Sequence, residues 1–231
     1  AFTYQSDVLE KRVRPLAQSL GFDFLIPCDV SKEGDIAKTF ATLKERWDTI
    51  DFCVHAVAYA DKEELKGQYA KTSRKNFLNT LDISCYSFTE TCRETANLMP
   101  NGGALITLTY HGSQRVMPHY NVMGVAKAAL EASVRYLAVD FGNQNIRVNA
   151  ISAGPVKTLA ASGIGDFRYI LQWNQYNSPL KRNTTLDDVG GAGVYLLSSL
   201  SSGVTGEIHY VDSGYHVVGM KAVDAPDISI V

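Results

Sequence analysis

The chain has 231 residues, 45% of them hydrophobic, with 22 basic and 24 acidic side chains and a formal net charge of −2. That is enough apolar material for one sizeable α/β core, and its scattered lysines and arginines form no basic stripe of the kind nucleic acid requires. No apolar run approaches the length of a membrane span, the first residues lack a signal-peptide core, the four cysteines form no CxxC pair, and the histidines have no metal-ligand spacing, so a cytoplasmic protein with reduced thiols is expected.

Strand and helix patterns alternate along the chain. AFTYQ reads as the end of a strand, followed by a helical pattern at Asp7–Leu20, a strand at Phe22–Pro27 and a helix at Glu33–Trp47. The next pairs are a strand at Asp51–Val57 with a helix at Thr72–Leu98, and a strand at Ala104–Thr109 with a helix at His119–Gly142. Strands at Ile146–Ser152 and Glu207–Val211 flank a helix at Asp187–Leu197, for which Thr184 or Thr185 supplies an N-cap ahead of Asp187 and Asp188. Asp29 or Ser31 could cap the second helix in the same way. This order predicts one α/β domain, a doubly wound parallel sheet covered on both faces.

The stretch Thr109–Thr158 carries the chemistry. Tyr120 and Lys127 lie seven residues apart in the predicted helix that follows Pro118 and ends at Gly142-Asn143. Almost two turns separate them, which sets the side chains on one face roughly 10 Å apart along the axis, where they can flank one ligand. A phenol beside an ammonium is expected to titrate below its usual range, which makes it a better proton donor or oxyanion partner. A Gly154-Pro155 turn closes the strand that follows.

These blocks resemble the bacterial enoyl-acyl-carrier-protein reductases of the short-chain dehydrogenase/reductase superfamily. The resemblance is carried by CDV at Cys28–Val30, DFCVHAVAYAD at Asp51–Asp61, LDISCYSF at Leu81–Phe88, YNVMGVAKAALEASVRYLA at Tyr120–Ala138, IRVNAISAGPVKTLAASGIGDF at Ile146–Phe167 and SSGVTGEIHYVDSGYHVVGM at Ser201–Met220. Ordinary superfamily members carry Tyr-x3-Lys, whereas Tyr-x6-Lys with a second tyrosine ten residues upstream, here Tyr110, is similar to the enoyl reductases in particular.

The resemblance implies a Rossmann-type fold, NADH as cofactor, acyl carrier protein as the partner that brings the substrate, and a homotetramer. The implied reaction reduces the trans-2 double bond of an enoyl thioester in type II fatty acid biosynthesis, with Tyr120 stabilising the enolate, Lys127 binding the nicotinamide ribose, and Tyr110 lining the acyl pocket and available for proton delivery. Cofactor contacts are implied for Gln5, Asp29, Val30, Ala56, Val57, Ala58, Lys127, Gly154, Pro155, Val156 and Thr158, and acyl contacts for Tyr110, Tyr120, Met123, Ala160, Ile164 and Phe167. Gln5 has no adjoining arginine or lysine to receive a 2′-phosphate, which favours NADH. A substrate-covering loop is expected at about residues 157–176.

The family begins with a strand and a glycine-rich turn that holds the cofactor pyrophosphate. AFTYQ matches the end of the second strand, so the chain is expected to be N-terminally incomplete, with unpaired edges where a central strand would lie. A ketoreductase acting on C=O is the competing enzyme reading, opposed by glycine rather than lysine at position 124. A non-catalytic nucleotide-binding relative is the other, favoured by the lacking turn and opposed by the intact Tyr120 and Lys127.

Overall fold

The computed structural model describes residues 1–158 and 165–228. Its strands are β1 (Phe2–Tyr4), β2 (Leu25–Pro27), β3 (Phe52–His55), β4 (Gly103–Thr109), β5 (Ile146–Ala153) and β6 (Ile208–Val211). They form two parallel sheets, β1-β2 and β3-β4-β5-β6. No ladder joins β1 to β3 among the described residues, and Phe2, Phe52 and Val54 expose apolar side chains there.

The helices are α1 (Asp7–Ser19), α2 (Asp35–Arg46), α3 (Arg74–Leu81), α4 (Ser87–Ala96), α5 (Asn121–Gly142), α6 (Phe167–Asn177) and α7 (Leu186–Leu197). Alternation along the strands sorts their residues between two cores. On one face Leu105, Val148 and Ala150 pack against Phe88 and Cys92 of α4 and Leu130, Val134 and Leu137 of α5. On the other, Ile106 and Ile151 pack against Leu196 of α7. The larger sheet is therefore covered on both sides.

Four details differ from the sequence expectation. The long third helix is broken by a π-helical turn at Asp82–Tyr86, where Ser84 meets the segment after β3, accepting from Tyr59 N at 2.9 Å and donating to Tyr59 O at 3.0 Å. Neither Asp29 nor Ser31 caps α2; Gly34 precedes it at φ +83°, and the Asp29 carboxylate instead closes a local turn by accepting from Ser31 N and Oγ. Thr185, not Thr184, caps α7, in a reciprocal capping box with Asp188. The loop expected over residues 157–176 gives way to α6 from Phe167, because Ile170, Leu171 and Asn174 recur at helical spacing and are buried.

The IRVNAIS segment holds the second layer in place. Arg147 donates from Nη1 to Leu196 O and Ser201 Oγ, both at 2.8 Å, and from Nη2 to Ser198 O at 3.1 Å. Asn149, fully buried, donates to Val204 O and accepts from Glu207 N, both at 3.0 Å. These bonds fix the end of α7 and the entry to β6 against β5.

Candidate active site

Tyr120 stands at the N-cap of α5 rather than within the helix. Its neighbours His119 (φ 56°) and Asn121 (φ 34°) are both left-handed, a conformation that asparagine tolerates better than most residues. The Asn121 amide donates to Glu64 O, Leu65 O and Gly67 O at 3.3, 3.0 and 3.3 Å, which ties the tyrosine to the segment after β3. His119 Nε2 lies 2.8 Å from Asp166 Oδ2, joining the start of α6 to the same point.

Tyr110 follows the end of β4 and meets Tyr120 edge to face, ring centroids 5.1 Å apart at 78°. This approach depends on two glycines. A Cβ at Gly112 would strike the Tyr120 ring, and one at Gly124 would come within 2.7 Å of Gly112 O. A side chain at position 124 therefore has no room, so a lysine at the Tyr-x3-Lys spacing is sterically excluded in this arrangement.

Lys127 and Met123 follow Tyr120 on the inward face of α5, and all three are buried. Lys127 Nζ donates to Leu108 O at 2.8 Å, which leaves two of its three donors uncommitted among the described residues. Met123 packs with Tyr120, Tyr110 and Leu65. Neither phenol hydroxyl has a hydrogen-bond partner among the described residues.

The electrostatics correct the expectation that Lys127 lowers the Tyr120 pKa. Burial pushes the Tyr120 phenol well above its ordinary range, with Tyr110 and Glu131 adding to the effect. Tyr110 is raised in the same way by burial, then by Tyr215 and Asp212. Lys127 is lowered from 10.5 to about 8 by burial, against the pull of Cys85 and Glu131. Desolvation outweighs the phenol–ammonium attraction because both groups leave water and the ammonium turns to the Leu108 carbonyl.

A cavity of about 570 Å³ brings together Gln5, Asp29, Val30, Ala56, Val57 and Ala58 at the carboxyl ends of β1, β2 and β3. Asp29 is held below the ordinary carboxylate range: burial opposes its charge, but hydrogen bonds from the Ser31 hydroxyl and amide and from Gln5 prevail, with Lys32 assisting. A carboxylate and a carboxamide above a floor of small side chains fit the hydroxyl and amino groups of an adenosine. No lysine or arginine lines the cavity among the described residues, so a 2′-phosphate would meet no cation there.

Gly154 and Pro155 are buried, Val156 is half-buried and Thr158 exposed. Gly154 N donates to Val211 O at 2.8 Å, and a Cβ at Gly154 would collide with Thr184 Oγ1, so the turn is wedged against the end of β6. Among the described residues Phe167 does not pack with Met123 and the tyrosines; it lines a recess of about 510 Å³ with Lys157, Thr158, Arg168 and Leu171. Ala160 and Ile164 lie outside the described residues.

Other residues at the site escape sequence reasoning. Tyr59 and Asn79 line the cavity of about 570 Å³ beside the six residues named above. Beside Tyr110, the ring of His216 stacks on Tyr210 with centroids 4.0 Å apart, and its Nδ1 lies 3.0 Å from Oδ1 of buried Asp212. Glu131 is buried one turn beyond Lys127. An acid on the apolar face of a long amphipathic helix is a readable signal.

Parallel strands with helices on both faces, and a tyrosine and lysine together beyond the strand ends, define a Rossmann-type α/β protein. Comparison with known proteins narrows that class. The sequence profile of the family described as Enoyl-(Acyl carrier protein) reductase matches residues 1–216. Enoyl-[acyl-carrier-protein] reductase [NADH] 1 of Rhizobium meliloti is 65% identical over 230 residues, covering 100% of this chain and 85% of that protein. Enoyl-[acyl-carrier-protein] reductase [NADH] FabI of Rickettsia conorii is 61% identical over 218 residues, 94% of this chain and 84% of its own length. The crystal structure of the Anaplasma phagocytophilum enoyl-(acyl-carrier-protein) reductase in complex with NAD superposes with a TM-score of 0.92 at 62% identity, covering 98% of this chain and 84% of the other. FabI from Candidatus Liberibacter asiaticus gives a TM-score of 0.94 at 55% identity, covering 96% of this chain and 86% of the other. The chain belongs to the enoyl-[acyl-carrier-protein] reductase family.

Proposed function

We propose that the protein is an NADH-dependent enoyl-[acyl-carrier-protein] reductase that saturates the trans-2 double bond of enoyl thioesters in type II fatty acid biosynthesis. The observation that carries this reading is the grouping of Tyr110, Tyr120 and Lys127 beyond the ends of β4 and β5, with both phenol hydroxyls unpartnered among the described residues. Purified protein given NADH and a short enoyl thioester is expected to consume NADH absorbance. Turnover of a ketone but not the enoyl thioester would favour a carbonyl reductase, and NADH binding without either would favour a non-catalytic relative.

NADH, when bound, supplies the hydride that adds to C3 of the enoyl group. Gln5, Asp29, Val30, Ala56, Val57 and Ala58 would hold its adenosine half. Gly154, Pro155, Val156 and Thr158 would border the nicotinamide, and Lys127 would donate to the ribose through the hydrogens that Leu108 does not take. Tyr120 donates its hydroxyl to the thioester oxygen as negative charge develops there, which stabilises the transition state more than the ground state. Its raised pKa keeps that proton in place until the enolate forms. Tyr110 and Met123 line the acyl pocket, Tyr110 lies in position to serve proton delivery to C2, and Ala160, Ile164 and, from the recess it shares with Lys157 and Arg168, Phe167 complete the set proposed for the acyl chain.

We also propose a single Rossmann-type domain over residues 1–231, located in the cytoplasm and assembled as a homotetramer. Exposed Leu78 and Tyr86 on the α3–α4 stretch and Tyr136 and Val139 on α5 support burial of those helices between subunits. Light scattering is expected to give a tetramer mass; a monomer would remove the claim.

The substrate would arrive on acyl carrier protein, an acidic partner. Of four basic residues near α6, Lys181 pairs with Asp224 at 3.1 Å and Arg182 with Asp188 at 3.0 Å. Lys157 and Arg168 have no ion pair among the described residues and line the same recess, which supports Arg168 as the contact for the carrier. Arg168→Glu is expected to raise the KM for carrier-bound substrate severalfold, in a salt-dependent manner, and to spare a small thioester. Equal effects on both would mean that Arg168 shapes α6 and does not meet the carrier.

A further inference from the structure

Glu131 is a buried acid to which the mechanism above gives no role. It is 5% exposed, and its Oε1 accepts hydrogen bonds from Thr109 Oγ1 at 2.7 Å and from Ser113 Oγ. Those two hydroxyls bracket Tyr110: Thr109 ends β4, and Ser113 closes the short 3-10 turn His111–Ser113. One carboxylate therefore ties both sides of the Tyr110 segment to the helix that carries Lys127.

Glu131 also follows Lys127 by one helical turn on the same inward face, where side chains four apart are neighbours. The two form no ion pair, since Lys127 Nζ turns to Leu108 O. Their charges nonetheless act on each other through protein rather than water, where screening is weak.

We propose that Glu131 is a positioning residue of this site, fixing Tyr110 through Thr109 and Ser113 and serving as the counter-charge that holds Lys127 in its donating, ammonium form. The proposal rests on the ribose-binding role given to Lys127. The groups that act on Lys127 from neighbouring elements are few. Cys85 of the π-helical turn and Glu131 both favour its protonated form, while burial opposes it. His55 of β3 also faces it and is held neutral, its pKa lowered to about 3 by burial and by Lys127. Glu131 is thus the only carboxylate acting on the lysine among the described groups. On its other sides it acts on His111, Tyr120 and Tyr210.

The two parts of the role separate by substitution. Glu131→Gln keeps an acceptor for both hydroxyls and removes the charge; Glu131→Asp keeps the charge and shortens the reach. A plot of log Kd for NADH against pH, from fluorescence titration, should bend upward in the parent near the lysine pKa of about 8. In Glu131→Gln that bend is expected about one unit lower, with affinity below the bend close to the parent's. Glu131→Asp should leave the bend in place and lower kcat by about tenfold or more, because Tyr110 loses its tether. A purely structural acid would move neither bend nor kcat selectively, so a Gln variant with the parent's bend overturns the counter-charge. An Asp variant with the parent's kcat overturns the tether whether or not the Gln variant folds, and should Gln not fold, Glu131→Met, which also removes the charge, takes its place: the parent's bend in it overturns the counter-charge. Lys127→Ala in the same titration keeps the two levels distinct. If it loses the bend while Glu131→Gln does not shift it, only the inference about Glu131 fails. If Lys127→Ala keeps the parent's affinity and bend, the lysine assignment fails and the counter-charge role with it.

Discussion

Lys127→Ala is expected to weaken NADH binding by about tenfold to a hundredfold and to lower turnover alongside it. The range follows from the roughly 1.5–3 kcal/mol carried by a hydrogen bond to a charged group. Binding and turnover fall together because the ammonium is proposed to touch the ribose in ground and transition states alike. Fluorescence titration with NADH and steady-state rates check both arms; unchanged cofactor affinity would contradict the assignment. The same lysine predicts a pH effect on stability. In the unfolded chain it titrates near 10.5 and in the folded chain at about 8, so between those values the unfolded chain holds a proton that the folded one has released. Stability contributed by this group therefore rises with pH across that window, by up to roughly 3 kcal/mol. Between pH about 7.5 and about 10 the denaturant midpoint of the parent should rise relative to that of Lys127→Met; the thiols Cys53 and Cys92, whose raised pKa values lower stability over part of the same window, are common to both and cancel. Equal slopes in the two proteins would place the titration elsewhere.

Tyr120→Phe is expected to lower kcat by about 10²–10³, the usual effect of removing one oxyanion donor, with NADH affinity nearly unchanged. The ring is packed against Tyr110, Leu65 and Met123, and phenylalanine keeps that packing, so the melting temperature should stay close to the parent's. Because burial raises the Tyr120 pKa, its own ionisation should be absent from the parent's pH–rate profile through the alkaline range in which Lys127 titrates. A tyrosine-dependent loss of rate below pH 9 or so would mean that the phenol is less desolvated than its burial indicates. If the variant lost NADH affinity and kept kcat, Tyr120 would be a binding residue and not an electrostatic one.

The strands and long helices were legible because burial enforces periodicity, and β4, β5 and α5 lie within a few residues of their expected bounds. The lines between them were harder to read. Whether Tyr120 sits in a helix or at its cap depends on the left-handed turns at His119 and Asn121, and those depend on carbonyls more than fifty positions away that the Asn121 amide must reach. The π-helical turn owes its neighbourhood to a contact between Ser84 and Tyr59, again distant in sequence. Six of the residues expected to contact the cofactor, Gln5, Asp29, Val30, Ala56, Val57 and Ala58, do share one cavity, since each follows the end of a strand and strand ends converge in a parallel sheet. The direction of the Tyr120 shift was misread because residue spacing conveys proximity of charge but not loss of water. Phe167, an acyl contact by the resemblance, lines a recess shared with Lys157 and Arg168 among the described residues, a placement set by the helix it begins and not readable from spacing.

The contact between Gly112 and Gly124 bears on how such enzymes can change over evolutionary time. In this protein the place that a lysine would take at the shorter spacing is filled by the backbone of the turn after Tyr110. Moving the lysine from 127 to 124 would thus need two simultaneous events, a new side chain and a retreat of that turn, and the retreat would separate the two tyrosines. Either event alone leaves a clash with the turn or a displaced pair of tyrosines. The two tyrosine–lysine spacings are therefore alternative solutions isolated from each other by sterics, and a lineage holding one is not expected to drift into the other by point substitution.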